Sequence, residues 1–187
     1  MRRVGVVSIQ GDFEKHIEAL RRCGAEDSVQ VRTPEDLSTV DRIILPGGES
    51  TTVGLLMERY GLGQAIKDAA AAGMPMWGTC MGMIMMARTV VGREQYTLGL
   101  LDIEIERNAF GAQVHSFEDE VVLDGLDEPV LGVFIRAPIV TELGPGVVPI
   151  GKYDGKTVAV RSGKLVGTSF HPELTDDTRL HEWFITL

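Results

Sequence analysis

The sequence predicts a three-layer α/β fold, in which an open and mostly parallel sheet is covered by helices on both faces. In the first half of the chain, short and almost continuously apolar runs alternate with segments whose apolar residues recur at helical spacing. Such runs are typical of parallel strands that are buried on both sides. After residue 92 the helical segments give way to short strands separated by turn residues. The second half therefore predicts an antiparallel extension of the same sheet.

The first half opens with a β-branched strand over residues 4–9, which Gly11 ends. Asp12 is placed to cap the helix that follows, and Gly24 is placed to stop it. The other elements of this half are expected at residues 29–32 and 42–45 (strands), at 53–59 and 64–72 (helices), and in a short strand that begins at residue 75.

The second half contains a series of short strands and closes with a helix. Asp154 and Gly155 predict a hairpin turn of the primed type between two of these strands. The helix covers residues 177–187, with Leu180, Trp183 and Phe184 on one face. The strands are expected at residues 101–106, 120–123, 130–135, 148–153, 157–161 and 165–170.

Composition narrows the class of protein. The chain has 187 residues, of which 44% are apolar and 24% charged, as in an ordinary globular protein. Its net charge of −9 argues against binding to nucleic acid or to an anionic membrane. The two cysteines, Cys23 and Cys80, form no disulfide framework, and no zinc-binding or membrane-spanning pattern is present. We therefore expect a cytoplasmic protein of one domain that holds no metal.

The most informative stretch is a cysteine bracketed by glycines, Gly78-x-Cys80-x-Gly82. It follows a short apolar strand and precedes an apolar helical segment. This order matches the nucleophile elbow, a tight turn that pushes a reactive side chain outward. The following helix would direct backbone N–H groups at the same point. Six of the eight methionines lie nearby, between Met74 and Met86, and are expected mainly to fill the core around the elbow helix.

A nucleophilic thiol needs a base, and four histidines are available. His171 follows an apolar strand, and Glu173 lies two residues further on, close enough to orient the imidazole. A turn histidine beside a solvated glutamate is an equally good interpretation of this spacing alone. His16 and His181 fall on predicted helices among charged residues, which favours solvated surface positions. His115 lies in a polar loop that could border a site.

A glycine pair follows the strand at residues 42–45. Gly47 and Gly48 let the backbone approach a ligand closely, and an N–H group there could join that of Met81 in an oxyanion hole. The alternative is an ordinary turn in which Ser50 caps the next helix, with Glu49 near its start.

Taken in this order, the glycine pair, the cysteine elbow and the His-Pro-Glu turn resemble the class I glutamine amidotransferase family. Over essentially the whole chain, the sequence is similar to the glutaminase subunits of two-component pyridoxal 5′-phosphate synthases. The resemblance implies a single class I glutamine amidotransferase domain with a flavodoxin-like fold over residues 1–187. The segments that carry it are residues 45–52 (LPGGESTT), 106–111 (ERNAFG), 132–138 (GVFIRAP) and 169–175 (SFHPELT).

The resemblance also implies roles for individual residues. It assigns a catalytic triad to Cys80, His171 and Glu173. Arg107 and Glu49 suit the α-carboxylate and the α-ammonium of glutamine. Met81 departs from the family pattern, which usually has alanine after the nucleophile. The residues expected to contact glutamine are Gly48, Glu49, Ser50, Arg107, Ile135 and Arg136.

The activity implied is hydrolysis of L-glutamine to L-glutamate and ammonia through a γ-glutamyl thioester, without a cofactor. Because one domain offers no site to use the ammonia, the acceptor should be on another polypeptide. The resemblance implies that this is a (β/α)8 synthase subunit, which builds pyridoxal 5′-phosphate (vitamin B6) from ammonia and sugar phosphates in a hetero-oligomeric complex.

Two other classes remain to be weighed. A cysteine peptidase or stress protein of the same architecture also uses an elbow cysteine, but it does not call for an amino-acid site built from Glu49, Arg107, Ile135 and Arg136. A non-catalytic regulatory subunit would tolerate a broken triad, whereas all three residue types are present here.

Overall fold

The computed structural model describes residues 3–111 and 116–187. The strands that it describes are β1 (Val4–Val7), β2 (Val29–Val31), β3 (Arg42–Leu45), β4 (Met76–Thr79), β5 (Ala87–Val90), β6 (Leu101–Glu106), β7 (Ser116–Val121), β8 (Val130–Ile135), β9 (Ile139–Leu143), β10 (Val148–Tyr153), β11 (Lys156–Ser162) and β12 (Leu165–Thr168). The helices are α1 (Phe13–Arg22), α2 (Pro34–Leu37), α3 (Ser50–Arg59), α4 (Leu62–Ala71), α5 (Met81–Met86) and α6 (Arg179–Thr186), with a 3₁₀ turn at Pro172–Leu174.

The main sheet has the strand order β2-β1-β3-β4-β12-β11-β9-β6-β5, and β10 pairs with β11. Its first five strands are all parallel. The order 2-1-3-4 followed by one further parallel strand is that of flavodoxin-like sheets. The expected three-layer, flavodoxin-like fold is therefore confirmed.

The antiparallel extension is confirmed as well, although the second half is less uniform than its sequence predicts. Antiparallel pairs join β11 to β12, β9 and β10, and β6 to β9. However, β12 runs parallel to β4, β5 runs parallel to β6, and β7 and β8 form a separate two-stranded sheet. Asp154 and Gly155 connect β10 and β11 with φ values of 48° and 72°, which is the primed turn expected there.

Two apolar clusters cover the two faces of the main sheet. Side chains of α2 to α5 form one, in which Met83, Met85 and Met86 have no exposed surface. These three methionines are core residues, as predicted. The other cluster joins α1, α6 and the small sheet around Trp77. Among the described residues, no helix combines the length and apolar character needed to cross a bilayer.

Strands β3, β4 and β12 are adjacent and parallel, and every residue of β3 and β4 is buried. Their carboxyl ends consequently lie side by side at one edge of the sheet. Open α/β sheets bind ligands at this edge. The three segments singled out from the sequence follow these three strands, so the topology alone brings them together.

Candidate active site

Cys80 occupies a strained turn between β4 and α5. Its φ of 50° and ψ of −107° lie in a region that non-glycine residues rarely adopt. Two hydrogen bonds hold the turn: the Cys80 N–H donates to the Thr168 carbonyl (2.8 Å), and the Ile84 N–H donates to the Cys80 carbonyl (3.2 Å). The sequence therefore forms the predicted elbow, with its thiol at the carboxyl end of the sheet.

The two glycines of the elbow are required by close contacts. A methyl group at Gly78 would lie 2.5 Å from the carbonyl carbon of Gly82. A methyl group at Gly82 would overlap the carbonyl oxygen of Leu45, the last residue of β3. Any larger side chain would force strand and helix apart. The glycines thus allow α5 to begin directly against the sheet.

His171 and Glu173 form a buried hydrogen-bonded pair at the end of β12. Nδ1 of His171 lies 2.7 Å from Oε1 of Glu173, and the two residues are only 5% and 3% exposed. Burial by itself would lower the pKa of His171, but hydrogen bonds and charge interactions with Cys80 and Glu173 raise it to about 10. Although burial opposes its ionisation, the Glu173 carboxyl has a pKa below its usual range because of His16 and His171. The imidazole is accordingly protonated at neutral pH.

The glycine pair after β3 lies next to this histidine. A methyl group at Gly47 would be 2.6 Å from Cε1 of His171, and one at Gly48 would be 3.3 Å from the Cε atom of Met81. The turn therefore packs against both the His171 imidazole and the first residue of the elbow helix. Glycine is the only residue that permits the first of these contacts without displacing the imidazole.

Glu49 caps α3, whereas the alternative derived from the sequence gave this position to Ser50. The Glu49 carboxylate accepts hydrogen bonds from the backbone N–H groups of Thr51 (3.0 Å) and Thr52 (2.8 Å). These two hydrogen bonds lower the pKa of Glu49 to about 2, and the bond from Thr52 has the larger effect. Ser50 is instead the first residue of the helix. The glutamate side chain is long enough to reach the N–H groups of the first helical turn from the position before it. Glu49 therefore caps the helix, and Ser50 does not.

A cavity of about 390 Å³ opens beside the thiol. Ser50, expected at the substrate, is not among its lining residues; it is buried, and its Oγ accepts a hydrogen bond from Nε2 of Gln95 (3.2 Å). Gln95 in turn accepts a hydrogen bond from Nη1 of Arg107 (3.4 Å). The predicted site residues that line the cavity are Gly48, Glu49, Cys80, Met81, Arg107, Ile135, Arg136 and His171.

Three other lining residues were not predicted to belong to the site, although Asp12 was expected as a helix cap. They are Asp12, Ile84 and Asn108. Asn108 has a φ of 51°, and Arg136 has a φ of 46°, so together with Cys80 three strained backbone positions face the same cavity. Asn108 follows Arg107 directly and could have been included with it. Gln95 lies in an irregular segment with no pattern that marks it.

The prediction for His16 and His181 was wrong. Both are completely buried, and Nδ1 of His16 lies 2.9 Å from Nε2 of His181. The charged residues around them on their helices face solvent, while the two imidazoles point inward beneath the elbow strand. Only the packing of α1 against α6 reveals this pairing, because 165 residues separate the two histidines in sequence. His115 lies outside the described residues.

Asp12, His171 and Glu173 each offer a ligand atom, and these atoms lie within 4.8 Å of one another. Two of the three groups are already hydrogen-bonded to each other, because Nδ1 of His171 lies 2.7 Å from Oε1 of Glu173. Their arrangement is that of an acid–base pair beside a thiol. A thiol on a strained turn, a protonated imidazole and backbone donors are groups that suit acyl transfer from an amide.

Comparisons with known proteins identify the family of this chain. A family model described as the SNO glutamine amidotransferase family matches residues 6–187. The pyridoxal 5′-phosphate synthase subunit PdxT of Geobacillus sp. (strain WCH70) is 47% identical over 187 residues, which cover 100% of this chain and 97% of that protein. PdxT of Acidothermus cellulolyticus (strain ATCC 43068 / DSM 8971 / 11B) is 51% identical over 193 residues, which cover 99% and 93%.

Solved structures give the same result. The crystal structure of a glutamine amidotransferase superposes with a TM-score of 0.93 at 45% identity, covering 98% of this chain and 97% of that one. The structure of PurLQS from Thermotoga maritima superposes with a TM-score of 0.71 at 18% identity, which shows a common fold alone. From the family match and from relatives of this identity over its whole length, we conclude that the chain belongs to the SNO glutamine amidotransferase family.

Proposed function

We propose that this chain is a glutaminase that hydrolyses L-glutamine to L-glutamate and ammonia, with Cys80, His171 and Glu173 as its catalytic triad. The observation that carries the proposal is the position of Cys80 on a strained turn beside the His171 imidazole. Nδ1 of this imidazole lies 2.7 Å from Oε1 of Glu173. A thiolate next to an imidazolium is the activated nucleophile of cysteine-dependent acyl transfer.

The Cys80 thiolate attacks the side-chain carbonyl carbon of glutamine, and negative charge develops on the carbonyl oxygen. The N–H group of Met81 is the first of α5, and the first N–H groups of a helix have no acceptor within the helix. Together with an N–H of the Gly47-Gly48 turn, it forms the proposed oxyanion hole. A single donor of this kind contributes about 10²–10³-fold to rate in other enzymes.

The departing amide nitrogen needs a proton, which His171 supplies. With a pKa of about 10, the imidazole carries this proton at neutral pH before the reaction begins. Ammonia then leaves and a γ-glutamyl thioester remains on Cys80. The neutral imidazole next removes a proton from water, which attacks the thioester to release glutamate and regenerate the thiolate and imidazolium.

Glutamine binds through its α-amino and α-carboxylate groups. Glu49 and the guanidinium groups of Arg107 and Arg136 border the cavity and provide charges of both signs. The Glu49 carboxylate stays ionised at every physiological pH because its pKa is about 2. Gly48 and Ile135 complete the surface that glutamine contacts, and Ser50 supports it from the core through Gln95.

We propose that the ammonia is passed to a separate synthase subunit that makes pyridoxal 5′-phosphate in the cytoplasm. This part of the proposal rests on the names of the relatives, which are subunits of pyridoxal 5′-phosphate synthase. The partner expected from the sequence resemblance is a (β/α)8 protein in a hetero-oligomeric complex. One domain spanning residues 1–187 then supplies the glutaminase half of the complex.

The decisive experiment measures glutamate release from glutamine by this chain, with and without the synthase subunit. We expect low activity alone and a marked increase with the partner; equal rates would contradict coupling. Cys80→Ser and Cys80→Ala should abolish turnover and leave the far-UV circular dichroism unchanged, and turnover retained in either would overturn the assignment of the nucleophile. A peptide substrate tested in parallel should remain intact, since peptide hydrolysis would favour the cysteine peptidase class instead.

A further inference from the structure

Behind the proposed triad lies a second polar cluster built on His16 of α1. Its Nδ1 atom is 2.9 Å from Nε2 of His181, which lies on α6. Its Nε2 atom is 3.1 Å from Oγ1 of Thr79, the residue immediately before the nucleophile. The same Nε2 atom is 3.4 Å from Oε2 of Glu173. His16 therefore contacts both the elbow strand and the carboxylate that orients His171.

One oxygen of the Glu173 carboxylate lies beside His16 without a hydrogen bond. Oε1 of Glu173 accepts a hydrogen bond from His171, whereas Oε2 is buried and forms no hydrogen bond to any described residue within ordinary limits. The Nε2 atom of His16, at 3.4 Å, is positioned to serve it. A buried carboxylate oxygen without a donor is costly, so an N–H group at this distance stabilises the ionised form.

The hydrogen-bonding pattern selects one tautomer of His16. Burial lowers the pKa of both His16 and His181, so each is neutral at pH 7 and carries one ring N–H. Nδ1 of His181 is buried without a partner among the described residues. A proton there would be a buried donor with no acceptor, which folded proteins avoid more strictly than an unused acceptor. His181 is therefore protonated on Nε2 and donates to Nδ1 of His16, which leaves the His16 proton on Nε2, facing Thr79 and Glu173.

A purely space-filling role does not account for this cluster. Trp77 packs edge-on against both rings, with centroids 5.8 Å from His16 and 5.0 Å from His181, so aromatic or aliphatic side chains would fill the same volume. Burying two imidazoles costs desolvation free energy that apolar residues would not. The rings instead form a polar chain: Nε2 of His181 lies 2.9 Å from Nδ1 of His16, whose Nε2 lies 3.1 Å from Oγ1 of Thr79 and 3.4 Å from Oε2 of Glu173.

We propose that His16, oriented by His181, is a positioning residue of the active site: it donates its Nε2–H to Glu173 and so fixes the carboxylate that holds the His171 imidazolium beside Cys80. This role rests on the proposed function. The other charged groups near the cluster are Asp12, whose carboxylate interacts with His16, and Arg22, whose guanidinium interacts with His181. The Asp12 carboxylate also lies near the triad, since its ligand atom and those of His171 and Glu173 are within 4.8 Å of one another.

The test compares two amide substitutions that differ in reach. The side-chain nitrogen of His16→Gln can take the place of Nε2 and still donate to Glu173. In His16→Asn the shorter side chain places its amide at the Nδ1 position, where it meets His181 but not Glu173. His16→Leu removes both contacts and keeps the volume. If His16→Leu fails to fold, the Gln and Asn pair makes the same comparison between two polar residues.

The measurement is the rate at which a diazoketone analogue of glutamine, 6-diazo-5-oxo-L-norleucine, alkylates Cys80 in the full chain between pH 5 and 9. We expect His16→Gln to be alkylated about tenfold faster than His16→Asn, the effect of one hydrogen bond to a charged group. In His16→Asn the pH below which alkylation is lost should move up towards neutral, because Glu173 loses a donor that favours its ionised form. Equal rates and equal pH profiles in the two variants would overturn the role of His16 alone. Absence of alkylation in the unmodified chain would overturn the proposed function, and this role with it.

A second readout does not depend on activity. The ¹⁵N chemical shifts of the imidazole of His16 report which ring nitrogen carries the proton. We expect the Nε2–H tautomer at pH 7 in the unmodified chain and the loss of this preference in His181→Leu. A His16 protonated on Nδ1 would contradict the proposed direction of the hydrogen bonds.

Discussion

The main chain at Gly47 lies directly against the imidazole of His171. A methyl group on Gly47 would be 2.6 Å from Cε1 of that ring, which is closer than carbon atoms approach without contact strain. The φ of Gly47 is outside the left-handed region, so alanine could adopt this backbone conformation. Glycine is therefore needed at position 47 to leave room for the imidazole, and not to allow the backbone conformation of the turn.

Gly47→Ala should consequently impair catalysis more than stability. We expect a fall in kcat of about 10²-fold, because displacement of a catalytic group by about 1 Å has an effect of this size. Gly73→Ala is the matched control: its φ is 90° and nothing lies within 4 Å of the added methyl group. That control should lower the free energy of unfolding by about 1 kcal/mol or more and leave kcat unchanged. Steady-state kinetics and denaturant melts of both variants check the contrast, and an unchanged kcat in Gly47→Ala would contradict it.

Glu173→Gln should destabilise the protein in a pH-dependent way. The raised pKa of His171, about 10 against 6.5, stabilises the fold fully below pH 6.5 and progressively less as the pH rises towards 10. The lowered pKa of Glu173 stabilises it above the ordinary value of 4.5, and this contribution is lost as the pH falls further. The deficit in the free energy of unfolding should therefore be largest between pH 4.5 and 6.5 and shrink towards pH 10. Urea melts across this range test the prediction, with the exposed Glu26→Gln as a control that should show no such trend.

Two substitutions at Glu49 should separate its two roles. Glu49→Gln keeps an oxygen that can cap α3 but loses the charge, so the KM for glutamine should rise and the free energy of unfolding should fall by less than in Glu49→Ala. Glu49→Ala loses the cap as well and should cost about 1 kcal/mol at pH 7. Because the pKa of Glu49 is lowered from 4.5 to about 2, the charge-dependent part of this stability is fully present above pH 4.5 and is lost as the pH falls towards 2. A glutamine KM that is the same in both variants and in the unmodified chain would exclude contact with the substrate ammonium.

Met81→Ala should lower stability and preserve the chemical step. Met81 is 4% exposed, and truncation of a buried methionine costs about 2–5 kcal/mol. Its proposed catalytic group is the backbone N–H, which alanine retains. Met83→Ala, in the fully buried part of the same helix, should lose similar stability and serves as the comparison. Thermal melts and kcat values of both variants test this prediction. A large drop in kcat confined to Met81→Ala would show that the side chain shapes the oxyanion turn.

Much of the fold was predictable because its strands carry clear local signals. The predicted bounds of β3, β6, β8 and β10 agree with the structure to the residue. Short elements were missed: β5 and β9 lack a distinct apolar pattern, and α2 has only four residues. The signal for α2 was nevertheless present, since Thr33 and Asp36 form a capping box around Pro34.

The placement of the candidate site could be predicted from topology, whereas the buried His16–His181 pair behind it could not. Cys80, His171 and the Gly47-Gly48 turn each come after a strand, and parallel strands end at one edge of the sheet. His16 and His181 carry no comparable signal, because their helices are charged and only tertiary packing turns the imidazoles inward. Local patterns therefore locate groups at strand ends better than groups buried between distant helices.

The contact of Gly82 with the carbonyl of Leu45 bears on how this site tolerates change over evolution. Because main-chain atoms set the separation between β3 and the elbow helix, the side chains around the thiol can be exchanged while the reacting groups keep their places. Insertions and deletions at the ends of β3 and β4 should be tolerated poorly, because they would shift the strand register on which the positions of these groups depend. Substitutions among the side chains around the thiol should accordingly leave the separation of β3 and the elbow helix unchanged.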